Sequence, residues 1–256
     1  MYTHDMKESL KNILMFRDQV LKALAGKLEG FFLAGGTALS LFYYQHRESF
    51  DLDFFTKDFS KERIMDIIAE ISKSTATKID LIKERKLTQE DAKMIVCYVP
   101  VEKNKTLPTA EDNEKTLKVD FVQDVYRDIR TEKNIVNGIP VMVRENIYLR
   151  KIFAAFGYVK VEGEIGEEIF LGGRQEAKDI FDLYYLSTTF LPLSKFMDKY
   201  CNLDERAGAI TWHKRHDRLA LKSELLDIIT DVEVDCRVIE KHFDSEIESI
   251  INQMAG

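Results

Sequence analysis

The sequence of 256 residues predicts an α+β protein in two parts, with strands and helices over residues 1–144 and an all-helical region over residues 145–256. Two observations lead to this fold class. In the first part, short apolar or alternating runs are separated by glycine turns and polar loops, which is typical of strands. In the second part, apolar residues recur almost throughout with the 3.6-residue period of amphipathic helices. We therefore place a domain boundary near residue 145, without a long linker.

The elements of the first part follow from local patterns. A helix is predicted over residues 5–28, and an apolar run at 31–34 predicts a strand that ends in a glycine turn before another helix. Ser60 is a plausible N-cap for the next helix, because apolar residues follow it at helical spacing. The remaining predicted strands cover 51–55, 78–82, 94–99, 117–122 and 139–143, with a polar loop at 103–115 and an Asn137-Gly138 turn.

The second part is predicted to contain five helices separated by short breaks. These helices cover residues 146–158, 175–188, 193–202, 217–231 and 235–254. A segment rich in Gly and Glu, residues 163–173, is predicted to be a loop between the first two of them.

Composition and charge restrict the class of protein. With 45% hydrophobic residues, 4 Pro and 12 Gly, the chain has material for a packed core and few breakers. Its net charge of −7 excludes a uniformly basic nucleic-acid-coating protein, although a local basic groove stays open. No run approaches the roughly 18 apolar residues of a membrane span, and the first residues lack a signal-peptide pattern, so we expect a cytoplasmic protein. The three cysteines favour neither a disulfide framework nor a thiolate zinc site.

Three acidic residues are candidates for metal binding. Asp51 and Asp53 alternate with apolar residues on a predicted strand, so both carboxylates project from one face. Asp is depleted in strands and like charges repel, which makes a compensating cation a good explanation for the pair. Asp120 repeats the pattern on another strand, although by itself it would also fit a solvated edge residue. Three acids on neighbouring strands would suit two-metal phosphoryl or nucleotidyl transfer.

A glycine turn precedes this acidic strand. Gly35 and Gly36 open a predicted helix, where free N–H groups and the helix dipole favour a phosphate, and the Thr37 hydroxyl adds a donor. A turn of this kind is more often purely structural. Its combination with the acids that follow it favours function.

These segments also resemble a known family. Residues 32–39 (FLAGGTAL) and 46–55 (HRESFDLDFF) resemble the opening signature of the AbiEii/AbiGii-type toxin nucleotidyltransferases, a branch of the DNA polymerase β-like superfamily. The resemblance extends to Asp120 and to Arg144-Glu145-Asn146 followed by Lys151. Residues 178–186 (KDIFDLYYL) are similar to the family's Arg-Asp-x-x-Asp-Leu helix, with Lys178 where Arg is usual.

The resemblance implies a small mixed β-sheet nucleotidyltransferase domain flanked by helices, followed by a helical domain that closes a nucleotide cleft. It implies Mg²⁺, or Mn²⁺, held by the three acids, with a lysine of the helical domain on the triphosphate of an NTP substrate. The implied metal ligands are Asp51, Asp53 and Asp120. The implied catalytic residues are Asp51, Asp53, Asp120, Lys151, Asp179 and Asp182. The implied nucleotide contacts are Gly35, Gly36, Thr37, Arg47, Ser49 and Lys151.

We therefore expect a Mg²⁺-dependent nucleotidyltransferase that moves a nucleoside monophosphate from an NTP to an acceptor hydroxyl and releases pyrophosphate. The resemblance implies the toxin of a toxin–antitoxin pair, with a cognate antitoxin protein as partner and tRNA 3′ ends as acceptor. The basic residues Lys214, Arg215 and Arg218, near Trp212, are a candidate RNA surface, although a solvated helix start beside a partly buried Trp fits them as well.

Two alternatives stay open at this point. One is a transferase that acts on a small molecule or a protein side chain. The other is a non-catalytic nucleotide- or partner-binding module of the same fold. The presence of all three acids argues against the second alternative, because a decayed site has no reason to keep three like charges together.

Overall fold

A computed structural model describes residues 4–87, 92–101, 116–157, 159–162, 168–171 and 176–255. The chain divides into two compact units. Unit 1 comprises Met1–Ala38, Ser49–Arg127 and Thr131–Val143, and unit 2 comprises Leu39–Glu48, Asp128–Arg130 and Arg144–Gly256. Two short segments that precede residue 144, Leu39–Glu48 and Asp128–Arg130, therefore belong with the C-terminal unit.

Unit 1 is built on a mixed β-sheet. Its strands are β1 (Phe32–Leu33), β2 (Leu52–Thr56), β3 (Leu81–Leu87), β4 (Ala92–Pro100), β5 (Thr116–Gln123), β6 (Asn134–Val136) and β7 (Ile139–Val141). The order across this seven-stranded sheet is β3-β4-β5-β2-β1-β7-β6. The pairs β2/β5 and β1/β7 are parallel and the other pairs are antiparallel. The strand β2, which carries Asp53, is therefore central in the sheet.

Helices flank this sheet. They are α1 (His4–Leu24), α2 (Gly35–Leu39) and α3 (Lys61–Thr75), and α2 ends at the border with unit 2. The Ser60 side chain accepts a hydrogen bond from Arg63 N, which confirms the predicted N-cap of α3. α1 packs against α3 and β5, and α3 packs against β4. In the core, the Phe121 ring lies 5.8 Å from Phe31 and 5.6 Å from Phe54, between centroids.

Unit 2 is predominantly helical. Its helices are α4 (Arg144–Phe156), α5 (Ala177–Thr189), α6 (Leu193–Tyr200), α7 (Leu203–Arg215), α8 (Arg218–Leu226) and α9 (Cys236–Ala255), and a π-helical turn covers Ser40–Tyr44. α4 packs against α5 and α7, while α9 packs against α5, α6, α7 and α8. A two-stranded antiparallel sheet, β8 (Val159–Glu162) with β9 (Glu168–Leu171), belongs to the same unit.

The α+β class is confirmed, with a mixed sheet flanked by helices and then a helical region. The differences are local. The sequence pattern missed β6, α7 and the β8/β9 pair, and β9 lies inside the segment 163–173 that was predicted to be a loop. The other residues of segment 163–173 lie outside the described residues. The predicted loop at 103–115 also lies outside them. The first helix ends at Leu24, before Gly26 adopts a φ of +75°.

None of the helices in the described ranges combines the length and the apolar character that crossing a membrane requires.

Candidate active site

Asp53 and Asp120 lie side by side on adjacent parallel strands of unit 1. β2 and β5 pair in the register that sets Leu52 next to Val119 and Asp53 next to Asp120. Leu52 is fully buried whereas Asp53 is partly exposed, so the predicted alternation of the two faces is present. Asp51 directly precedes β2, and its charge acts on Asp120 as that of Asp53 does.

The Asp120 carboxyl group is buried and only half satisfied. It is 3% exposed, its Oδ2 lies 2.5 Å from Lys118 Nζ, and its Oδ1 has no hydrogen-bond partner among the described residues. Burial first, and then the charge of Asp53, raise the pKa of Asp120 to about 7 against the opposing effect of Lys118. A carboxyl group with this pKa can hold or release a proton near neutral pH.

The oxygen donors fit a hard divalent cation. Carboxylates are the ligands that Mg²⁺ and Mn²⁺ prefer, and a buried carboxylate oxygen without a partner is the kind of group that a cation satisfies. In the part of the chain that the structure describes, however, no three His, Cys, Asp or Glu side chains already converge as metal ligands. The Lys118 ammonium is instead the cation that contacts Asp120.

The glycine turn is shaped around Asp53. Gly35 adopts a φ of +67°, and a Cβ atom at this position would collide with Asp53 Oδ2 and lie 3.3 Å from Asp53 Cγ. Ala34 N donates a hydrogen bond of 2.9 Å to Asp53 O. Glycine is therefore favoured at position 35 both by the backbone conformation and by the space that the Asp53 side chain occupies.

Thr37 connects this turn to the acidic strand. Its buried hydroxyl group forms hydrogen bonds with Ser49 Oγ, at 2.8 Å, and with the carbonyl oxygen of Asp51. Arg17 Nη1 donates a 2.6 Å hydrogen bond to Ser49 O. Thr37 and Ser49 thus fix the backbone at Asp51 and just before it. The Thr37 hydroxyl group is already hydrogen-bonded to protein atoms.

Unit 2 contains a second charged cluster, which is buried. Asp182 accepts hydrogen bonds from His46 Nε2 at 2.7 Å and from Arg47 Nε and Nη2 at 2.7 and 2.8 Å. Lys151 Nζ lies 2.6 Å from both Asp179 Oδ1 and Asp182 Oδ2. The two aspartates are 0% exposed and Lys151 is 4% exposed. The predicted residues Arg47, Lys151, Asp179 and Asp182 are therefore brought together.

The charges of this cluster hold Asp182 in its ionised form. Burial alone would raise the pKa of Asp182, but Arg47 and Lys151 hold it well below its usual range, assisted by the His46 hydrogen bond. The cluster ties α4 and α5 to the segment that carries His46 and Arg47. The same segment is fixed by Ser40 Oγ, which donates to Arg47 O at 2.6 Å.

The Arg144-Glu145-Asn146 motif has a structural explanation within unit 2. Asn146 Oδ1 accepts hydrogen bonds from the backbone N–H groups of Ile129 and Arg130 at 2.8 and 3.0 Å. Its Nδ2 donates to Arg130 O at 2.8 Å. The Arg144 guanidinium lies over the ring of Phe190, 4.5 Å from its centroid. These residues position α4, which carries Lys151.

Part of the basic region near Trp212 is neutralised within unit 2. Trp212 is 5% exposed and its ring stacks on His216 with centroids 4.2 Å apart, so it is anchored in packing. Arg218 forms ion pairs of 2.8 Å with Glu240 and 3.2 Å with Asp244, both on α9. Lys214 and Arg215 are exposed.

Comparison with known proteins assigns the family. The family model described as "Nucleotidyl transferase AbiEii toxin, Type IV TA system" matches residues 19–254, so the chain belongs to the AbiEii nucleotidyltransferase toxin family. No curated protein matches the chain.

Several solved structures are similar. A candidate nucleotidyltransferase from H. pylori has a TM-score of 0.57 and 21% identity, over 97% of each chain. JHP933 from Helicobacter pylori has a TM-score of 0.56 and 21% identity, over 97% of this chain and 96% of its own. MenT4, a nucleotidyltransferase toxin from Mycobacterium tuberculosis H37Rv, has a TM-score of 0.49 and 13% identity, over 95% of this chain and 85% of its own. The two Helicobacter structures show that the fold is shared.

Gly35→Ala should destabilise the protein more than Gly26→Ala. Both glycines have positive φ, but a Cβ at Gly26 would meet no atom of the described residues within 4 Å, whereas one at Gly35 would collide with Asp53. Gly26→Ala therefore reports backbone strain alone, about 1–2 kcal/mol, and Gly35→Ala adds displacement of the acid. Urea unfolding of the two variants measures the difference. Equal losses would contradict the close approach of Asp53.

Asp120→Asn should flatten the pH dependence of stability. The folded protein raises the pKa of Asp120 from 3.8 to about 7, so the folded state binds this proton more tightly than the unfolded chain does. The resulting stabilisation is fully present below pH 3.8 and is lost as the pH rises through 7. In EDTA, we expect the free energy of unfolding to fall less across this window in the Asn variant than in the parent. Identical pH profiles from urea titrations would exclude Asp120 as the responsible group.

Asp182→Asn should destabilise unit 2 strongly. The variant leaves buried Arg47 and Lys151 with one carboxylate fewer, and breaking a buried ion pair costs about 3–5 kcal/mol. Lys178→Ala is the matched contrast, since Lys178 forms an exposed ion pair with Glu176, of a type worth about 1 kcal/mol or less. Chemical denaturation compares the two variants. A small, equal effect would argue against the buried cluster as an anchor of the unit.

Proposed function

We propose that this member of the AbiEii family is a Mg²⁺-dependent nucleotidyltransferase that transfers a nucleoside monophosphate from an NTP to an acceptor hydroxyl. The observation that carries the proposal is the register of β2 and β5. It places Asp53 beside Asp120, and Asp51 directly precedes β2. One buried oxygen of Asp120 has no hydrogen-bond partner among the residues that the structure describes. Like charges in this arrangement are unfavourable unless a cation or a proton compensates them.

Each acid has a role in the proposal. Asp51, Asp53 and Asp120 would hold Mg²⁺, or Mn²⁺, which when bound supplies charge neutralisation to the triphosphate. Asp120 would accept the proton of the acceptor hydroxyl. The acceptor oxygen then forms its bond to the α-phosphorus as the bond between that phosphorus and the β-phosphate oxygen breaks, and pyrophosphate leaves.

The nucleotide contacts rest on family membership together with the site. Gly35 and Gly36 would let the triphosphate approach the backbone, because neither has a side chain. Thr37 and Ser49 hold the turn in place through their hydrogen bond. Arg47 and Lys151 are bound to Asp182, so a direct phosphate contact would require them to exchange a carboxylate for phosphate oxygens. Asp179 and Asp182 would position Lys151.

The acceptor proposed here is the 3′ end of tRNA, and a cognate antitoxin protein is the proposed partner. Both are proposed on the strength of the toxin family, and the basic residues Lys214 and Arg215 are exposed. The ion pairs of Arg218 with Glu240 and Asp244 weaken the same surface as an RNA site. That observation keeps an acceptor of another class, a small molecule or a protein side chain, as the second candidate.

A transfer assay with position-specific label tests the reaction. The protein is incubated with Mg²⁺ and each NTP labelled at the α- or the γ-phosphate, separately with tRNA, with cellular protein and with small metabolites. We expect α-label to enter an acceptor and γ-label to appear only in pyrophosphate. Asp53→Asn should abolish transfer because it removes a proposed metal ligand, whereas Asp58→Asn, at an exposed position just after β2, should not.

The label also separates the alternatives. Transfer of γ-label to an acceptor would replace nucleotidyl transfer with phosphoryl transfer. Labelled protein or metabolite with unlabelled tRNA would establish the second class of acceptor. Absence of transfer from every NTP in the presence of Mg²⁺ or Mn²⁺ would favour a non-catalytic module.

A further inference from the structure

A lysine lies within the acid cluster itself. Lys118 is two residues before Asp120 on β5, so the two side chains share a face of the sheet. The register of β2 and β5 pairs Leu52 with Val119 and Asp53 with Asp120. Extending this register by one residue before Leu52 places Lys118 next to Asp51. Asp51, Asp53, Lys118 and Asp120 therefore form two neighbouring rows on one face, three acids and one cation.

The Lys118 ammonium is bound to the most buried of these acids. Its Nζ lies 2.5 Å from Asp120 Oδ2, and its side chain is 31% exposed. Partial burial would lower the pKa of Lys118, but the charges of Asp120, Asp53 and Asp51 raise it above its ordinary value. A lysine ammonium is charged at neutral pH, and the contact with Asp120 places this charge within the acid cluster.

We propose that Lys118 is a built-in counter-cation that occupies the acid cluster until nucleotide arrives, so that free divalent metal binds weakly and enters with the triphosphate. This inference rests on the proposed function, since it concerns the same metal site. It accounts for the contact of one Asp120 oxygen with the ammonium, while the other oxygen has no hydrogen-bond partner in the described part of the chain.

Charge explains why the metal and the ammonium exclude each other. A divalent ion on Asp120 would lie within a few ångströms of the ammonium, and their repulsion in a partly buried site is substantial. A triphosphate supplies negative charge that offsets this repulsion. The lysine can also leave, because its flexible four-carbon stem is partly exposed and its ammonium hydrates well in water.

Binding of Mn²⁺ alone, followed by electron paramagnetic resonance, tests the proposal in the full chain. Lys118→Met removes the charge and keeps the length of the stem. We expect it to bind Mn²⁺ at least about tenfold more tightly than the parent, because a nearby like charge is gone. Lys118→Arg keeps a cation and should resemble the parent. Lys78→Met makes the same change of charge in the exposed pair with Asp80 and should also resemble the parent.

Thermal unfolding gives a second measurement. In EDTA, Lys118→Met should melt below the parent, since three acids have lost their counter-cation, and Mn²⁺ should raise its melting temperature more than that of the parent. Lys118→Gln serves the same purpose if the Met variant does not fold. Adding Asp120→Asn to either variant should abolish the gain in Mn²⁺ affinity, because a proposed ligand is lost.

The outcomes separate this inference from the proposed function. If the parent binds Mn²⁺ alone as tightly as Lys118→Met does, the proposed role of Lys118 is overturned, whether or not transfer occurs. Tighter binding by the Met variant supports that role, and absence of nucleotidyl transfer by the parent would then overturn only the proposed function.

Discussion

The main constraint on unit 1 is a pair of carboxyl groups, Asp53 on β2 and Asp120 on β5, that lie side by side on adjacent parallel strands. Neighbouring strands are about 4.8 Å apart, so Asp53 and Asp120 cannot avoid each other's charge. Burial of Asp120 increases the cost, because a charged group loses its hydration. The protein offsets the cost in two ways, with a pKa of about 7 that allows Asp120 to carry a proton and with the ammonium of Lys118 on its second oxygen.

The turn before the acids is adapted to the same constraint. Asp53 needs space next to the sheet, and Gly35 supplies it by having no side chain where the carboxylate lies. The buried Thr37 hydroxyl then holds the backbone carbonyl of Asp51, so the acidic strand cannot move independently of the turn. Glycine and threonine therefore act together on the position of the two acids, a role distinct from direct phosphate binding.

The sequence predicts local features well and long-range pairing poorly. The alternation of Asp51, Leu52 and Asp53 predicts one buried and one more exposed face, and the structure has the same alternation, with Asp51 just before β2. The nearness of Asp53 to Asp120 depends on strand register, which the residues around each acid do not specify, and the place of Lys118 in the cluster depends on it too. The weakly amphipathic α7 and the short β9 lack a strong hydrophobic period, so neither could be predicted from pattern alone.

The pairing of Arg47 with Asp182 in unit 2 was also beyond prediction from local sequence patterns, because the two residues are 135 positions apart in the sequence. Its chemistry also contrasts with that of Asp120. Asp182 is held ionised by Arg47 and Lys151, whereas Asp120 has one cation and one oxygen without a described partner. Environments that move the pKa values of two carboxyl groups in opposite directions suit them to different tasks. A carboxylate that cannot take up a proton near neutral pH is suited to fixing cations in place, and a carboxyl group that titrates near 7 is suited to exchanging a proton with a substrate.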